Sequence, residues 1–539
     1  MESVFMCAFC GHFRVIFVSF SSFYPLFPIF LTLHFRLDDA VKSVWRVTMS
    51  LVAIGKALLT QIRDRESTMS RNSVSHEPRP DNAPLAVSRS DKLEKFFGAS
   101  PPKPKKVDPL AHLIQEQKFD RSLVFSMEGH VKGGTISKLV SYLTHHLHDD
   151  SAYTFAFLVT MPSFVEFSSL LRMLIDRYRV SVPSNLAGEE RDYYIRKKVE
   201  PIRVKVGQVL LHWVSLWPET RKDESLSTPL RAFANNTLMV DYPDVAVRIV
   251  DVLDGTVDPY RAQLAEDKPP KPLIPKSLKG EISLFMLDPL EAARQLYLID
   301  FAYYSAIRPG EFIKLAWSRK DDVTRAPSVL QVIRRSTQLT SFVCHTILEL
   351  RDMKSRSEMV RIWILIMDKC RQLKNFNTLM AITGGLMSSS IHRLQSTWRL
   401  VPRKEVLLFE EIKELMSYRR NFGNYRDVLR GLAPPALPFL GIYLTDLTFI
   451  EEGNKDTLPN SELINFDKRS KSANVVKSIL QFQTVKFNFE VVSEIEYFFQ
   501  NIAVFERNEE EFYQLSLQVE RKETESEVIT RALAESGFI

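Results

Sequence analysis

Apolar residues recur every three or four positions along most of the chain, and strict alternation is rare, so the chain is mainly α. The clearest helix start is Asp288-Pro289-Leu290-Glu291. Asp288 stands where an N-cap belongs, Pro289 takes the first helical position, and Glu291 is placed to complete a capping box. Leu290, Ala293, Leu296, Tyr297, Phe301 and Tyr304 then line one apolar face. Met359 to Met367 is apolar nearly all round, with Cys370 and Leu373 continuing it. Such a segment predicts a helix at the centre of a core.

The most informative pattern lies between residues 404 and 432. Leu408, Phe409, Ile412, Leu415 and Met416 form one helical stripe, with Glu410, Glu411, Lys413 and Glu414 between them. It stops at the polar joint Ser417-Tyr418-Arg419-Arg420-Asn421-Phe422-Gly423. Tyr425, Val428, Leu429 and Leu432 make a second stripe, ended by Pro434-Pro435. Two amphipathic helices with a short joint predict an antiparallel hairpin. Periodicity alone does not separate a working hairpin from one more pair of core helices.

Residues 128–250 alternate apolar helices with short breaks, and Thr135–Leu147 and Phe164–Tyr178 are the clearest amphipathic stretches. From about 64 to 108 the chain is rich in Ser, Pro, Arg and Lys without apolar period, which predicts a linker. A second break at 256–283 centres on Lys268-Pro-Pro-Lys-Pro272 and Pro275, a proline density that excludes helix. The resulting organisation is an apolar leader at 1–63, a linker at 64–108, a helical region at 109–255, a Pro-rich linker at 256–283, a larger helical region at 284–525 and a tail at 526–539.

Hydrophobic residues at 45% and charged residues at 25% describe an ordinary globular chain. The 18 Gly exclude a collagen repeat, and four Cys are too few for a disulfide framework. A net charge of +6 over 539 residues gives no electrostatic case for nucleic acid. Enzyme signatures are missing as well: there is no H-E-x-x-H, no G-x-S-x-G and no kinase motif set. Gly129-His-Val-Lys-Gly-Gly134-Thr135 has the spacing of a phosphate loop but not its lysine, and reads as a turn before a helix. Gly384-Gly385 reads as a bend. His145, His146 and His148 lack a ligand partner at helix spacing, and Cys7-x-x-Cys10 is only half a metal site. No cofactor, metal or bond-making chemistry is expected.

Val15 to Phe35 contains no Asp, Glu, Lys or Arg and is long enough to span a bilayer. Pro25, Pro28, a serine patch and His34 fit a loosely packed leader equally well. The residues leave both readings open. Arg36, Lys42, Arg46 and Lys56 after the segment, against Arg14 before it, would keep the body of the protein cytosolic at the inner face of the membrane. Pro101-x-x-Pro104 with its lysines fits a plain linker, an SH3 ligand or an acidic membrane surface.

Several long blocks in order resemble the catalytic domain of Ras-family guanine-nucleotide exchange factors, such as Son of sevenless. They are Asp288-Pro-Leu-Glu-Ala-Ala-Arg-Gln-Leu296, Ile307-Arg-Pro-Gly-Glu311, Asn375-Phe-Asn377, Met387-Ser-Ser-Ser-Ile-His-Arg-Leu394 with Trp398, and Arg420-Asn-Phe422 with Tyr425-Arg426. Pro434-Pro-Ala-Leu-Pro-Phe-Leu-Gly-Ile-Tyr-Leu-Thr-Asp-Leu447, Glu451-Glu-Gly-Asn454 and Leu463-Ile-Asn-Phe-Asp-Lys-Arg469 complete the set. The earlier region is similar to the Ras exchanger motif through Gly133-Gly-Thr135, Leu139-Val140, Leu143-Thr144 and Phe155-Ala-Phe-Leu158.

The resemblance implies that the hairpin opens the nucleotide site of a Ras-like or Rap-like GTPase, releasing GDP and Mg²⁺ so that GTP can load. On that reading Leu415 crowds the Mg²⁺ and phosphate site, Glu414 supplies the acidic group near the tip, and Asn421 and Phe422 fix the joint. Asn375, Asn377, His392 and Arg393 line the surface gripping the other switch region, with Tyr304, Ile307 and Glu311 in its pocket. Two departures bear on partner choice: the tip Ser417–Asn421 has no carboxylate, and Ser305 stands where some relatives carry a basic residue. The alternative is a scaffold that binds the GTPase without opening it. Membrane contact would fall to residues 15–35 or to Lys103, Lys105 and Lys106.

Overall fold

The computed structural model describes residues 108–521 apart from 115–120, 267, 276–281 and 320–322, together with 529, 530 and 533. The leader at 1–63, the Pro-x-x-Pro linker and the Cys7-x-x-Cys10 pair lie outside the described residues. Among the described residues, no helix is long and apolar enough to cross a membrane.

Several helices begin where a short polar side chain takes the first free amides. Asp150 accepts from Tyr153 N at 2.8 Å, Asp352 from Ser355 N at 2.8 Å and Asn465 from Lys468 N at 3.2 Å. Asp288 accepts from Leu290 N and Glu291 N, with Pro289 in the first turn. The expected capping box does not close, because Glu291 is drawn inward. Its carboxylate, 1% exposed, accepts from Leu273 N at 3.0 Å, Arg294 at 3.0 Å and Gln295 at 2.8 Å. A buried carboxylate needs donors more than a helix start needs a second cap.

The first region is built on helices Ile136–Leu143, Ser151–Thr160, Phe167–Tyr178, Glu200–Leu216, Glu224–Phe233 and Pro243–Asp254. Glu200–Leu216 runs through its centre and buries Ile202, Val206, Leu210, Trp213 and Val214. In the larger region, Pro289–Ala306, Pro327–Leu348, Met353–Gln372 and Phe376–Met387 pack together. The segment from Met359 to Met367 buries residues on almost every side of Met353–Gln372, as expected. Gly384 and Gly385 do not bend the chain. They lie inside Phe376–Met387, and a Cβ on Gly385 would come within 2.7 Å of Val343 Cβ, so the glycine permits close helix packing.

The two regions share one hydrophobic core. Helix Ser151–Thr160 lies on Phe466–Leu480, with the Tyr153 ring 4.5 Å from that of Phe466. A three-stranded antiparallel sheet joins them: β1 (Leu123–Phe125), β2 (Val131–Gly134) and β4 (Ile464–Asn465), in the order β1-β2-β4. Gly129, φ +86°, makes the turn between β1 and β2, whereas Gly133 and Gly134 belong to β2 itself. The described residues of the Pro-rich segment form no helix, but they are tied down. Strand β3 (Gln263–Leu264) pairs parallel with β5 (Val485–Lys486), Tyr260 donates its hydroxyl to Leu216 O at 2.8 Å, and Arg308 covers the Tyr260 ring at 4.1 Å.

Candidate functional site

Helix Arg403–Leu415 ascends and Gly423–Arg430 descends, with the joint between them. The base of the ascending helix is held from several sides. Phe409 stacks on Trp398 at 5.1 Å, Glu405 accepts from Arg361 at 3.2 Å, and Glu411 from Arg371 at 2.7 Å. Ile412 and Met416 are buried. On the descending helix Tyr425 is buried with its hydroxyl accepting from Phe439 N at 2.9 Å, and Phe422 packs its ring 5.7 Å from that of Phe439. Val428 of the second stripe is 41% exposed, and Leu407 is 60% exposed. The hairpin therefore buries its roots and leaves part of its apolar surface to solvent.

The joint is conformationally demanding. Arg420, Asn421 and Phe422 have φ of 52°, 53° and 59°, three successive residues in the left-handed region. Each costs about 1–2 kcal/mol relative to right-handed backbone, so surrounding contacts must hold them. Gly423 N donates to Arg419 O at 3.1 Å and Arg426 N to Phe422 O at 2.8 Å. Asn424 Nδ2 donates to Glu414 O and to Glu414 Oε1, both at 3.1 Å, while its Oδ1 accepts from Arg420 at 3.0 Å. Arg426 donates from Nε to Asn421 O at 2.8 Å and forks onto Asp446 at 2.8 and 2.7 Å, an arrangement that raises the guanidinium pKa. Tyr418, 79% exposed, stands at the tip with Arg419, Arg420 and Asn421.

The residues singled out from sequence divide into two sets. Glu414, Asn421 and His392 are exposed, and Leu415 and Phe422 are half-buried against the core. Tyr304 and Ile307 are interior, at 1% and 0% exposure, so in this structure they offer no pocket surface to a partner. Glu311 is interior as well. It accepts from Arg308 N at 3.2 Å, Ser328 N at 2.7 Å and Val329 N at 2.9 Å, placing a carboxylate at the start of Pro327–Leu348 where the helix dipole favours it. Asn375 is the cap of Phe376–Met387, accepting from Thr378 N at 3.1 Å, and Asn377 reaches Ser336 at 3.3 Å. Arg393 donates to Ser516 O at 2.8 Å and Glu520 O at 2.7 Å, tying down helix Glu509–Val519. Glu311, Asn375, Asn377 and Arg393 have their polar atoms already committed inside the domain, whereas Tyr304 and Ile307 are shut in the core, the Tyr304 hydroxyl without a hydrogen-bond partner. Asp300 lies with them, its carboxyl pushed up by burial against the opposing pull of Arg335, 3.9 Å away.

Sequence reasoning missed Asn424, the Arg426–Asp446 pair and the exposed Tyr418. Arg426 and Asp446 both stand in recognised blocks, but they are twenty residues apart and no periodicity links them.

Two family descriptions match the chain in order: the RasGEF N-terminal motif over residues 130–233 and the RasGEF domain over residues 291–470. Among curated relatives, Cell division control protein 25 of Candida albicans is 35% identical over 414 residues, covering 74% of this chain and 31% of the relative. Cell division control protein 25 of Saccharomyces cerevisiae is 30% identical over 454 residues, covering 78% and 28%. Protein son of sevenless of Drosophila melanogaster is 30% identical over 406 residues, covering 70% and 25%. The chain spans about a third or less of the length of these relatives. Two matched domains in the right order, on a mainly α architecture that presents the expected hairpin, place this chain in the RasGEF family.

Proposed function

We propose that the chain is a guanine-nucleotide exchange factor for a Ras-like or Rap-like small GTPase. The observation that carries this reading is a hairpin rooted in the core whose joint and tip, Tyr418 to Asn421, are exposed and held in an unusual backbone conformation. Relatives along most of the chain bear the names of Ras exchange factors and of son of sevenless.

The mechanism is a linkage and involves no bond chemistry. A surface that binds the nucleotide-free GTPase better than the loaded one weakens nucleotide binding by the same factor. The hairpin stabilises an open minor state of its partner, GDP and Mg²⁺ leave, and GTP loads by mass action. Leu415, Phe422 and Asn421 shape the end that enters the nucleotide site, with apolar surface replacing favourable cation coordination. His392 supplies an exposed contact on the neighbouring surface. Tyr304, Ile307, Glu311, Asn375, Asn377 and Arg393 act by holding that surface in shape. Residues 15–35 and the lysines at 103–106 are proposed to bring this cytosolic body to an acidic membrane face, which flotation with anionic vesicles would test.

One observation favours a scaffold that binds without opening: the Glu414 carboxylate is taken up by Asn424. The deciding experiment loads a panel of Ras-family GTPases with fluorescent GDP and follows release with the full chain and with its Leu415→Ala/Asn421→Ala variant. Faster release from one GTPase, lost in the variant, supports exchange. Tight binding with unchanged release supports the scaffold, and no binding to any member of the panel sinks both.

A further inference from the structure

The hairpin joint has to be kept in its left-handed run, and one side chain outside the joint is placed to do it. Arg426 sits in the first turn of the descending helix, directly after the buried anchor Tyr425. Its guanidinium is planar, and three of its donors are committed at once. Nε takes the carbonyl of Asn421 at 2.8 Å, and the two terminal nitrogens take both carboxylate oxygens of Asp446 at 2.8 and 2.7 Å. Asp446 belongs to helix Leu440–Gly453, whose Ile442, Tyr443, Leu444 and Leu447 are buried in the domain. The pair is neither deep nor freely solvated, with the two side chains 29% and 27% exposed. Fork-on-fork geometry fixes orientation as well as distance, which a lysine at the same place cannot reproduce.

We propose that Arg426 is a positioning residue for the exchange hairpin, clamping the Asn421 carbonyl to Asp446 and so holding Arg420-Asn421-Phe422 in the left-handed conformation that aims the tip. This rests on the exchange reading above. Arg426 acts through the joint: its polar atoms are turned to the protein's own backbone and to Asp446. The Arg420–Asn424–Glu414 contacts stitch the joint locally, whereas the Arg426–Asp446 pair alone among these contacts ties it to Leu440–Gly453. Loss of the fork releases the turn while leaving the roots at Phe409, Ile412 and Tyr425 in place.

The test uses the full chain carrying Arg426→Leu, Arg426→Lys or Asp446→Asn, beside the wild type. Hydrogen exchange at the amides of residues 419–424 is measured without any partner, and thermal melting reports on the domain. GDP release is measured against increasing concentrations of the responsive GTPase to separate kcat from KM. Arg426→Leu is expected to speed exchange of the joint amides by about tenfold or more and to lower kcat by about tenfold, with KM changed by less than about threefold. Arg426→Lys, which keeps the charge but not the fork, follows Arg426→Leu, and Asp446→Asn falls between. Unchanged amide exchange overturns the clamp, and so does an undiminished kcat in an active protein. A loss confined to KM, or one that tracks a large fall in melting temperature, likewise assigns Arg426 to another role. Wild-type protein that releases no GDP from any GTPase removes the exchange reading instead; the amide-exchange result then judges the clamp by itself.

Discussion

Gly133 lies against Ile464 so closely that a Cβ on the glycine would stand 2.5 Å from the Ile464 carbonyl oxygen. Its backbone φ is unremarkable, so space alone requires the glycine. The contact is the pairing of β2 with β4, where Gly133 is opposite Asn465 and Gly134 opposite Ile464. It is one seam between the first helical region and the larger one, beside the packing of Ser151–Thr160 on Phe466–Leu480.

Gly133→Ala is therefore expected to push β2 off β4 and to destabilise the protein by about 1–3 kcal/mol. Chemical denaturation would show the loss. Hydrogen exchange would locate it in residues 131–134 and 464–466, with the helices Pro327–Leu348 and Met353–Gln372 protected as before.

Tyr418 and Ile307 make opposite predictions. Tyr418 is 79% exposed, so Tyr418→Ala should change stability by less than about 0.5 kcal/mol while slowing GDP release. Ile307 is 0% exposed, so Ile307→Ala should cost about 2–5 kcal/mol. Its exchange rate should fall only as far as the folded fraction falls. Paired melting curves and release rates distinguish the two.

The Glu311 carboxylate takes three backbone amides, two of them at the start of Pro327–Leu348. Replacing it with alanine leaves those buried donors unmet, at about 2–3 kcal/mol. Glu311→Gln keeps one acceptor oxygen and should lose less. Urea unfolding of the two variants would rank them.

Burial lowers the pKa of His345, with Arg507 adding to the effect and Glu349 opposing it; burial and Arg248 lower that of His212. Both imidazoles thus bind a proton less readily when folded than at the ordinary value of 6.5. The unfolded chain takes up more protons in that window, so stability rises with pH up to the ordinary value and is lost as pH falls below it. Melting temperature should decline between about pH 7 and pH 5.5, and His345→Gln should flatten part of that decline.

The helices were legible because each buries one face, and burial of one face repeats every three to four residues. The stripe Leu408, Phe409, Ile412, Leu415 and Met416 and the stripe from Tyr425 to Leu432 gave the hairpin in this way. Asp288 marked a helix start because a short carboxylate reaches the amides next to it, a purely local interaction. Glu291 carried the same local signal and misled. Leu273, Arg294 and Gln295 compete for its carboxylate, and Leu273 comes from within the proline-rich segment. Gly384-Gly385 misled similarly, because only the presence of Val343 across the helix interface shows what the missing Cβ is for.

Recognisable blocks indicated which segments matter but not which way each side chain faces. Ile307, Asn375 and Arg393 stand in such blocks and are committed to the interior or to the domain's own backbone. Tyr418 and Arg419 stand between blocks and are exposed. The amino-acid sequence by itself determined the helical class, the order of the two regions and the hairpin with its polar joint, because these depend on periodicity and on neighbours a few residues apart. Tertiary structure decided that β2 joins β4, that the Pro-rich strap is pinned along β5, and that Arg426 meets Asp446. Those depend on groups distant in sequence competing for the same donors, acceptors and space.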